Sequence, residues 1–154
     1  MKRSLVLLLA VLSLAVPLAG CKMISKMMPA STIDNPSEGS PEWVVYRVIE
    51  AGQVADDEKS WQQVRPYLHS SVTALATSEN NFLNLNWAAF RRKIRLFTPD
   101  DAKPVYKLDY TQDDVDDKEL RLFVVNEGSD QPSPFRVVRD GASNNEWKVK
   151  TIPW

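Results

Sequence analysis

The sequence predicts an α+β domain in which helices pack on a curved antiparallel sheet of about four strands. Two observations predict this class. Apolar residues recur at helical spacing between residues 41 and 97, and they alternate at strand spacing between residues 105 and 152. Turn-rich joints separate the alternating segments, which is typical of strands joined as successive hairpins. Helices followed by strands in this order favour one sheet with helices on one face.

The first two helices begin at recognisable start signals. Ser40 is a good N-cap and Pro41 a good first residue, so a helix is expected at 41–55. Apolar residues then recur at helical spacing in a second helix, expected at 58–69. Pro66 within it predicts a kink or an early end, because proline lacks the N–H that the helix needs.

A polar stretch separates these helices from a third. Residues 78–84 predict a loop, and a third helix is expected at 87–97, capped by Asn86 and ended by Pro99. Its outer side is basic, which fits either a solvated face or contact with acidic lipid headgroups or an acidic partner. The basic residues are Arg91, Arg92, Lys93 and Arg95.

Four strands complete the predicted sheet. In the first of them, Tyr106, Leu108 and Tyr110 are expected on the face that meets the core, which sends Asp109 to solvent. The predicted strands are 105–111, 119–126, 134–139 and 147–152.

The first 20 residues have the layout of a secretory signal. A short positive start is followed by an almost unbroken apolar run over 5–18 and by small residues before Cys21. Fourteen helical residues span roughly 21 Å, which is short of the roughly 30 Å hydrocarbon core. A permanent transmembrane helix is therefore the weaker interpretation.

The sequence Leu18-Ala19-Gly20-Cys21 resembles the bacterial lipoprotein signal, or lipobox. The resemblance implies that the Cys21 thiol receives diacylglycerol, that cleavage precedes Cys21, and that its amine takes a further acyl chain such as palmitate. Lys22 stands where an Asp in enteric bacteria resembles an inner-membrane retention signal, so the outer membrane, facing the periplasm, is expected. The alternatives are an ordinary cleaved signal with a chance cysteine and an uncleaved anchor.

These features divide the chain into three parts. The predicted parts are a signal peptide at 1–20, a lipidated flexible tether at 21–40 and a single α+β domain at 41–154. Two prolines, a glycine and several serines interrupt any regular period in the tether. Removal of 20 of the 154 residues leaves 134, enough for one hydrophobic core.

The composition excludes several classes of protein. Hydrophobic content of 44% and charged content of 25% argue against disorder. Loss of Lys2 and Arg3 with the signal leaves 17 basic against 20 acidic side chains, a net charge of −3, which gives no indication of nucleic-acid binding. One cysteine allows no internal disulfide, and one histidine besides an acylated cysteine argues against a metal site of the zinc type. No metal or other cofactor is predicted.

The end of the chain resembles the nuclear transport factor 2-like superfamily, which has the cystatin-like cone fold. A strand, a Gly-containing turn and a Trp-Lys-Val strand over 135–149 carry the resemblance, and 61–68 resembles the family's second helix. The resemblance covers 41–154 and implies helices packed under a curved sheet. The loop at 140–145 departs from the family, because it is longer and more polar than the family's tight turn.

This superfamily includes both enzymes and scaffolds, so the fold does not give an activity. Its enzymes, which resemble isomerases or dehydratases, place an acid, a His or a Tyr inside the cone. An Asp109–His69 pair can do acid–base work if both are buried together. No residue is assigned a catalytic role. The candidates for cavity or partner contacts are Tyr46, Tyr67, His69, Tyr110 and Trp154.

The sequence therefore favours a non-enzymatic envelope lipoprotein. Lipid on Cys21 holds it to the membrane, and its domain binds a protein partner or a small apolar ligand in the periplasm. Two alternatives stay open: an acid–base enzyme of the isomerase or dehydratase type with a cone cavity, and a structural component of an envelope assembly.

Overall fold

The computed structural model describes residues 29–113 and 118–154. It has the predicted α+β architecture, with helices on one face of an open antiparallel sheet of five strands. The predicted signal peptide, Cys21 and most of the tether before residue 29 lie outside the described residues, so those assignments stay predictions. In the described ranges, no helix has both the length and the apolar character needed to span a membrane.

Five α-helices lie in the first half of the domain. They are α1 (Pro41–Gln53), α2 (Asp57–Val64), α3 (Ser70–Thr73), α4 (Ala76–Asn81) and α5 (Ala88–Arg92). The Ser40 hydroxyl accepts a hydrogen bond from the Trp43 N–H at 3.1 Å, which confirms the predicted start of α1. A 3₁₀ turn at Arg65–Tyr67, which contains Pro66, follows α2, so the second α-helix ends early at Val64, as the proline predicted.

The predicted loop at 78–84 is wrong. This stretch contains the end of α4 and the start of a π-helical turn, Phe82–Trp87, that leads into α5. The third helix is therefore part of a longer helical stretch, and Asn86 lies inside the π-helical turn rather than at a cap. Asn80, Asn81 and Asn84 are exposed while Phe82 is buried, and the wide turn breaks the 3.6-residue period that sequence patterns depend on.

The sheet contains the four predicted strands and one more. The strands are β1 (Ser31–Ile33), β2 (Tyr106–Asp113), β3 (Glu119–Val124), β4 (Ser133–Asp140) and β5 (Glu146–Thr151), in the spatial order β1-β2-β3-β4-β5. Strand β1 was expected to be part of the flexible tether. It pairs with β2 instead, with Ser31 opposite Leu108 and Ile33 opposite Tyr106. A strand of three residues is too short to show the alternation of apolar and polar residues by which strands are predicted from sequence.

A β-bulge in β2 corrects the predicted position of Tyr110. Leu108 pairs with Val124, but Tyr110 pairs with Phe123, so Asp109 is the extra residue. Because neighbours in β3 point to opposite faces, Tyr110 lies on the face of the sheet away from the helices. Its ring stacks on Phe123 there at a centroid distance of 4.2 Å. Asp109 is half-buried rather than sent to solvent.

One apolar cluster fills the space between the helices and the sheet in the described part of the chain. Phe135 lies at its centre, fully buried, with edge-to-face contacts to Phe90 and Phe97. Gly52 of α1 is buried where a Cβ would lie 3.0 Å from the Ile94 side chain, so a larger residue would require the Ile94 side chain to shift.

Candidate functional site

A groove of about 330 Å³ opens at the surface where three segments meet. These segments are the start of α1, the 3₁₀ turn after α2, and the β4–β5 hairpin from the end of β4 to the start of β5. Three aromatic side chains line the groove: Trp43 from the first segment, Tyr67 from the second and Trp147 from the third. Trp43 and Tyr67 are half-buried, so part of each ring faces solvent.

Trp43 and Tyr67 form a fixed aromatic wall. Their rings meet edge to face, with centroids 5.4 Å apart and planes at 82°. Arg47, one turn along α1, donates from Nε to the Tyr67 hydroxyl at 3.0 Å and also forms an ion pair with Glu50. Its guanidinium lies 5.9 Å from the Trp43 ring centroid and 5.5 Å from that of Tyr67. The wall is thus pre-formed.

The opposite wall carries an arginine stacked on a tryptophan. Arg139 of β4 and Trp147 of β5 are cross-strand partners, and the guanidinium carbon lies 4.0 Å from the ring centroid. Arg139 also donates from Nη1 to the Asn145 carbonyl oxygen at 3.0 Å. Among the described residues, no carboxylate forms an ion pair with Arg139. Within the described residues, the remaining N–H donors of its guanidinium are therefore available to an anion.

A lysine joins the two walls. Lys148 of β5 donates from Nζ to the Pro66 carbonyl oxygen at 2.9 Å and pairs with Glu146 at 2.8 Å. Only 13% of its side chain is exposed. Lys148 therefore holds the 3₁₀ turn against β5 and is itself already satisfied.

The β4–β5 connection has an unusual backbone at the rim of the groove. Asn144 and Asn145 are both left-handed, with φ of 51° and 58°. Asparagine tolerates this region better than most residues, but two in succession store strain that the surroundings must hold. The Asn145 N–H donates to the Asp140 carbonyl oxygen at 2.9 Å. A second depression, lined by Lys118, Arg139 and both asparagines, continues the groove.

Asp140 anchors this connection to α3. Its side chain is 3% exposed, and it accepts hydrogen bonds from the Ser70 N–H at 2.8 Å, the Ser70 hydroxyl at 2.9 Å and the Ala142 N–H at 3.0 Å. Desolvation raises the pKa of Asp140, but these hydrogen bonds and the nearby His69 lower it, and the net pKa is below its usual range. A buried carboxylate thus ties β4 to the helical layer.

His69 caps α3 beside this carboxylate. Its Nδ1 accepts from the Ser71 N–H at 3.1 Å and lies 2.9 Å from the Ser71 hydroxyl oxygen. Its Nε2 is 3.9 Å from Asp140 Oδ1, which is beyond hydrogen-bond distance. The backbone N–H of His69 donates to the Val149 carbonyl oxygen of β5. Asp109, the acid considered as the partner of His69, lies on β2, which is three strand spacings, or about 14 Å, from β5.

Asp140→Asn is expected to destabilise the protein by about 1–3 kcal/mol at pH 7, because an amide nitrogen replaces an oxygen that accepts hydrogen bonds. The folded-state pKa is lowered, so the carboxylate's contribution is present above the unfolded pKa of about 3.9 and is lost as pH falls further. The difference between wild type and variant should therefore shrink below about pH 4. Urea unfolding at pH 7 and below about pH 4 measures this difference in the free energy of unfolding. Exposed Asp34→Asn is the control, expected within about 0.5 kcal/mol of wild type at pH 7. An equal difference at both pH values would contradict this role of Asp140.

The other predicted contact residues are dispersed. Tyr67 is in the groove, Tyr46 is half-buried against the core, and Tyr110 is on the far face of the sheet. Trp154 is 71% exposed. Sequence reasoning missed the roles of Trp43, Trp147 and Arg139. The one feature of the sequence that pointed to this site was the long polar loop after β4.

The basic side of the third helix is partly neutralised within the fold. Arg91 pairs with Asp57 and donates to the Val54 carbonyl oxygen at 2.5 Å. Arg95 pairs with Asp101 at 3.3 Å. These contacts favour a solvated face whose arginines pair within the fold over a basic surface that docks lipid or a partner.

A smaller groove of about 250 Å³ lies between α2 and the π-helical turn. Trp61 and Trp87 line it, both largely buried, and the Trp87 indole N–H has no acceptor among the described residues. Within residues 29–113 and 118–154, no group of three or more His, Cys, Asp or Glu side chains is arranged to hold a metal ion.

Comparison with known proteins gives no relative. No family model matches the chain, and no curated protein and no solved structure matches it either.

Proposed function

We propose that the protein is a bacterial lipoprotein, cleaved before Cys21 and held by lipid on that residue at the periplasmic side of an envelope membrane, most simply the outer one. The support is the order of a positive start, an apolar run too short to span a bilayer, and Leu18-Ala19-Gly20-Cys21 at its end.

In this proposal the domain binds a protein partner through the groove formed by Trp43, Tyr67 and Trp147. The observation that carries the proposal is a pre-formed aromatic groove whose rim includes an arginine without a carboxylate partner in the described chain. Tryptophan, tyrosine and arginine are the residue types enriched at energetically important contacts. A small apolar ligand is the weaker variant, because the groove is open and has charged side chains at its edge.

Binding without catalysis is preferred to chemistry in a cone cavity. The described core cluster consists of valine, leucine, isoleucine, alanine and aromatic side chains, which argues against an acid–base site inside it. His69 and Asp140 do approach each other, and this pair is the observation that favours the alternative of an isomerase-like or dehydratase-like enzyme. Their hydrogen bonds are accounted for by the cap of α3 and the anchoring of β4. A structural component of an envelope assembly is the other alternative.

Strand β1 limits how far the domain can stand from the membrane in this proposal. Ser31, ten residues after Cys21, is already in the sheet, where it pairs with Leu108. Ten residues reach at most about 33–36 Å when fully extended. The partner is therefore expected close to the bilayer surface.

Site-specific photo-crosslinking in cells tests this function. A photoreactive residue at Asn144, on the rim of the groove, is expected to give a discrete adduct with one envelope protein. The same residue at Gln112, exposed on β2 and remote from the groove, is the matched control and should give none. No adduct at Asn144, or the same adduct at both positions, would contradict partner binding through the groove.

A further inference from the structure

We infer that the groove accepts an extended segment of its partner that contains proline or another bulky apolar residue next to an acidic one. This inference rests on the proposed function and names the chemistry that the same site recognises.

The shape of the site indicates an extended segment rather than a compact small molecule. The aromatic groove and the depression beyond it share Arg139, Asn144 and Asn145, so they form one elongated surface. The two parts have volumes of about 330 and 570 Å³. A chain of several residues can follow both parts, whereas a compact ligand would occupy only one.

The aromatic wall indicates an apolar segment with little conformational freedom. Trp43 and Tyr67 are held by their mutual edge-to-face contact and by Arg47, so binding does not have to order them. Grooves lined by aromatic rings are the usual receptors for proline-rich segments, which are extended before they bind and lose little entropy.

The charge at the other end indicates an acidic residue. Arg139 is fixed by Trp147 and by the Asn145 carbonyl, and it has no carboxylate partner among the described residues. Lys118 lines the same depression, and Lys148 is already neutralised by Glu146. A guanidinium in a fixed position binds a carboxylate through paired N–H donors.

Glu38 also lines the aromatic groove, so the binding surface is not uniformly positive. A ligand with negative charge along its whole length would meet this carboxylate. The site therefore fits a segment whose apolar part lies on the aromatic wall and whose acid lies at Arg139.

NMR of the tryptophan indole N–H signals tests the inference. The full chain is purified as the cell makes it and is labelled with ¹⁵N at tryptophan. The chain has five tryptophans, which single Trp→Phe variants assign. The probe is the peptide acetyl-Pro-Pro-Leu-Asp-Asp-amide. We expect the signals of Trp43 and Trp147 to shift during titration, while those of Trp61 and Trp87 stay in place.

Matched peptides and variants separate the two parts of the site. Acetyl-Pro-Pro-Leu-Asn-Asn-amide is expected to bind about fivefold more weakly, because it offers Arg139 no carboxylate. Acetyl-Gly-Gly-Ser-Asp-Asp-amide should cause no shift. Arg139→Gln should remove the preference for the acidic peptide. Arg121→Gln, the same change on the far face of the sheet, should retain it.

Three results would overturn the inference: no shift of Trp43 or Trp147 at millimolar peptide, equal binding of the Asp and Asn peptides, or shifts caused by an N-acetylglucosamine oligomer and not by the peptides. The crosslinking experiment separates this failure from that of the proposed function. An adduct at Asn144 with no peptide binding leaves partner binding in place and removes only the assigned chemistry.

Discussion

Replacement of Cys21 by serine is expected to move the protein out of the membrane fraction or to leave it as an unprocessed precursor. Serine has no thiol to receive diacylglycerol, and no lipid then holds the mature chain. Each buried CH₂ of an acyl chain contributes about 0.8 kcal/mol, so two or more chains give stable anchoring that the domain alone does not supply. Fractionation of cells with immunoblotting, together with metabolic labelling by palmitate, measures the effect.

Lys22→Ser is the control for this experiment. It changes the neighbouring residue without removing the thiol and without introducing an aspartate. The variant should remain labelled and membrane-bound. A Cys21→Ser protein that is processed and still fractionates with the membrane would contradict anchoring through Cys21.

Replacement of Phe135 by alanine should destabilise the domain by about 3–5 kcal/mol, because a fully buried aromatic ring leaves a cavity behind. Phe135 joins Phe90 and Phe97 to the sheet, with ring centroids at 5.7 and 6.1 Å. Losses of this size approach the whole stability of a small domain. Urea unfolding followed by tryptophan fluorescence measures the change in the free energy of unfolding.

Phe123→Ala is the matched control, since Phe123 is one strand away and points to the opposite face of the sheet. Its ring is half-buried and stacks only on Tyr110 among the described aromatic residues. We expect a loss of about 1.5–2.5 kcal/mol from partial burial and stacking. If Phe123→Ala costs as much as Phe135→Ala, the assignment of the core face is wrong.

The sequence predicted the fold where the period of apolar residues was regular. Helix α1 and the four longer strands follow from this period and from local signals such as Ser40 and Pro66. The prediction failed where a local distortion changed the period. The first half of the π-helical turn at Phe82–Trp87 was expected to be loop, and the bulge at Asp109 moved Tyr110 to the other face.

The candidate groove was harder to predict than the fold. Its aromatic residues come from three distant parts of the chain, and each has an ordinary explanation as a core or rim residue. Only packing brings Trp43 to Tyr67 and sets Arg139 on Trp147. Tyr67 was among the predicted contact residues, but its partners in the groove were not, because side-chain neighbours across elements leave no periodic signal.

The mass of the mature N-terminus tests the central claim most directly. Intact-mass spectrometry of the protein purified from membranes should give residues 21–154 plus diacylglycerol and one further acyl chain. A tandem spectrum should locate the added mass on Cys21. A chain that begins at another residue, or one that begins at Cys21 without added lipid, would contradict the lipoprotein assignment.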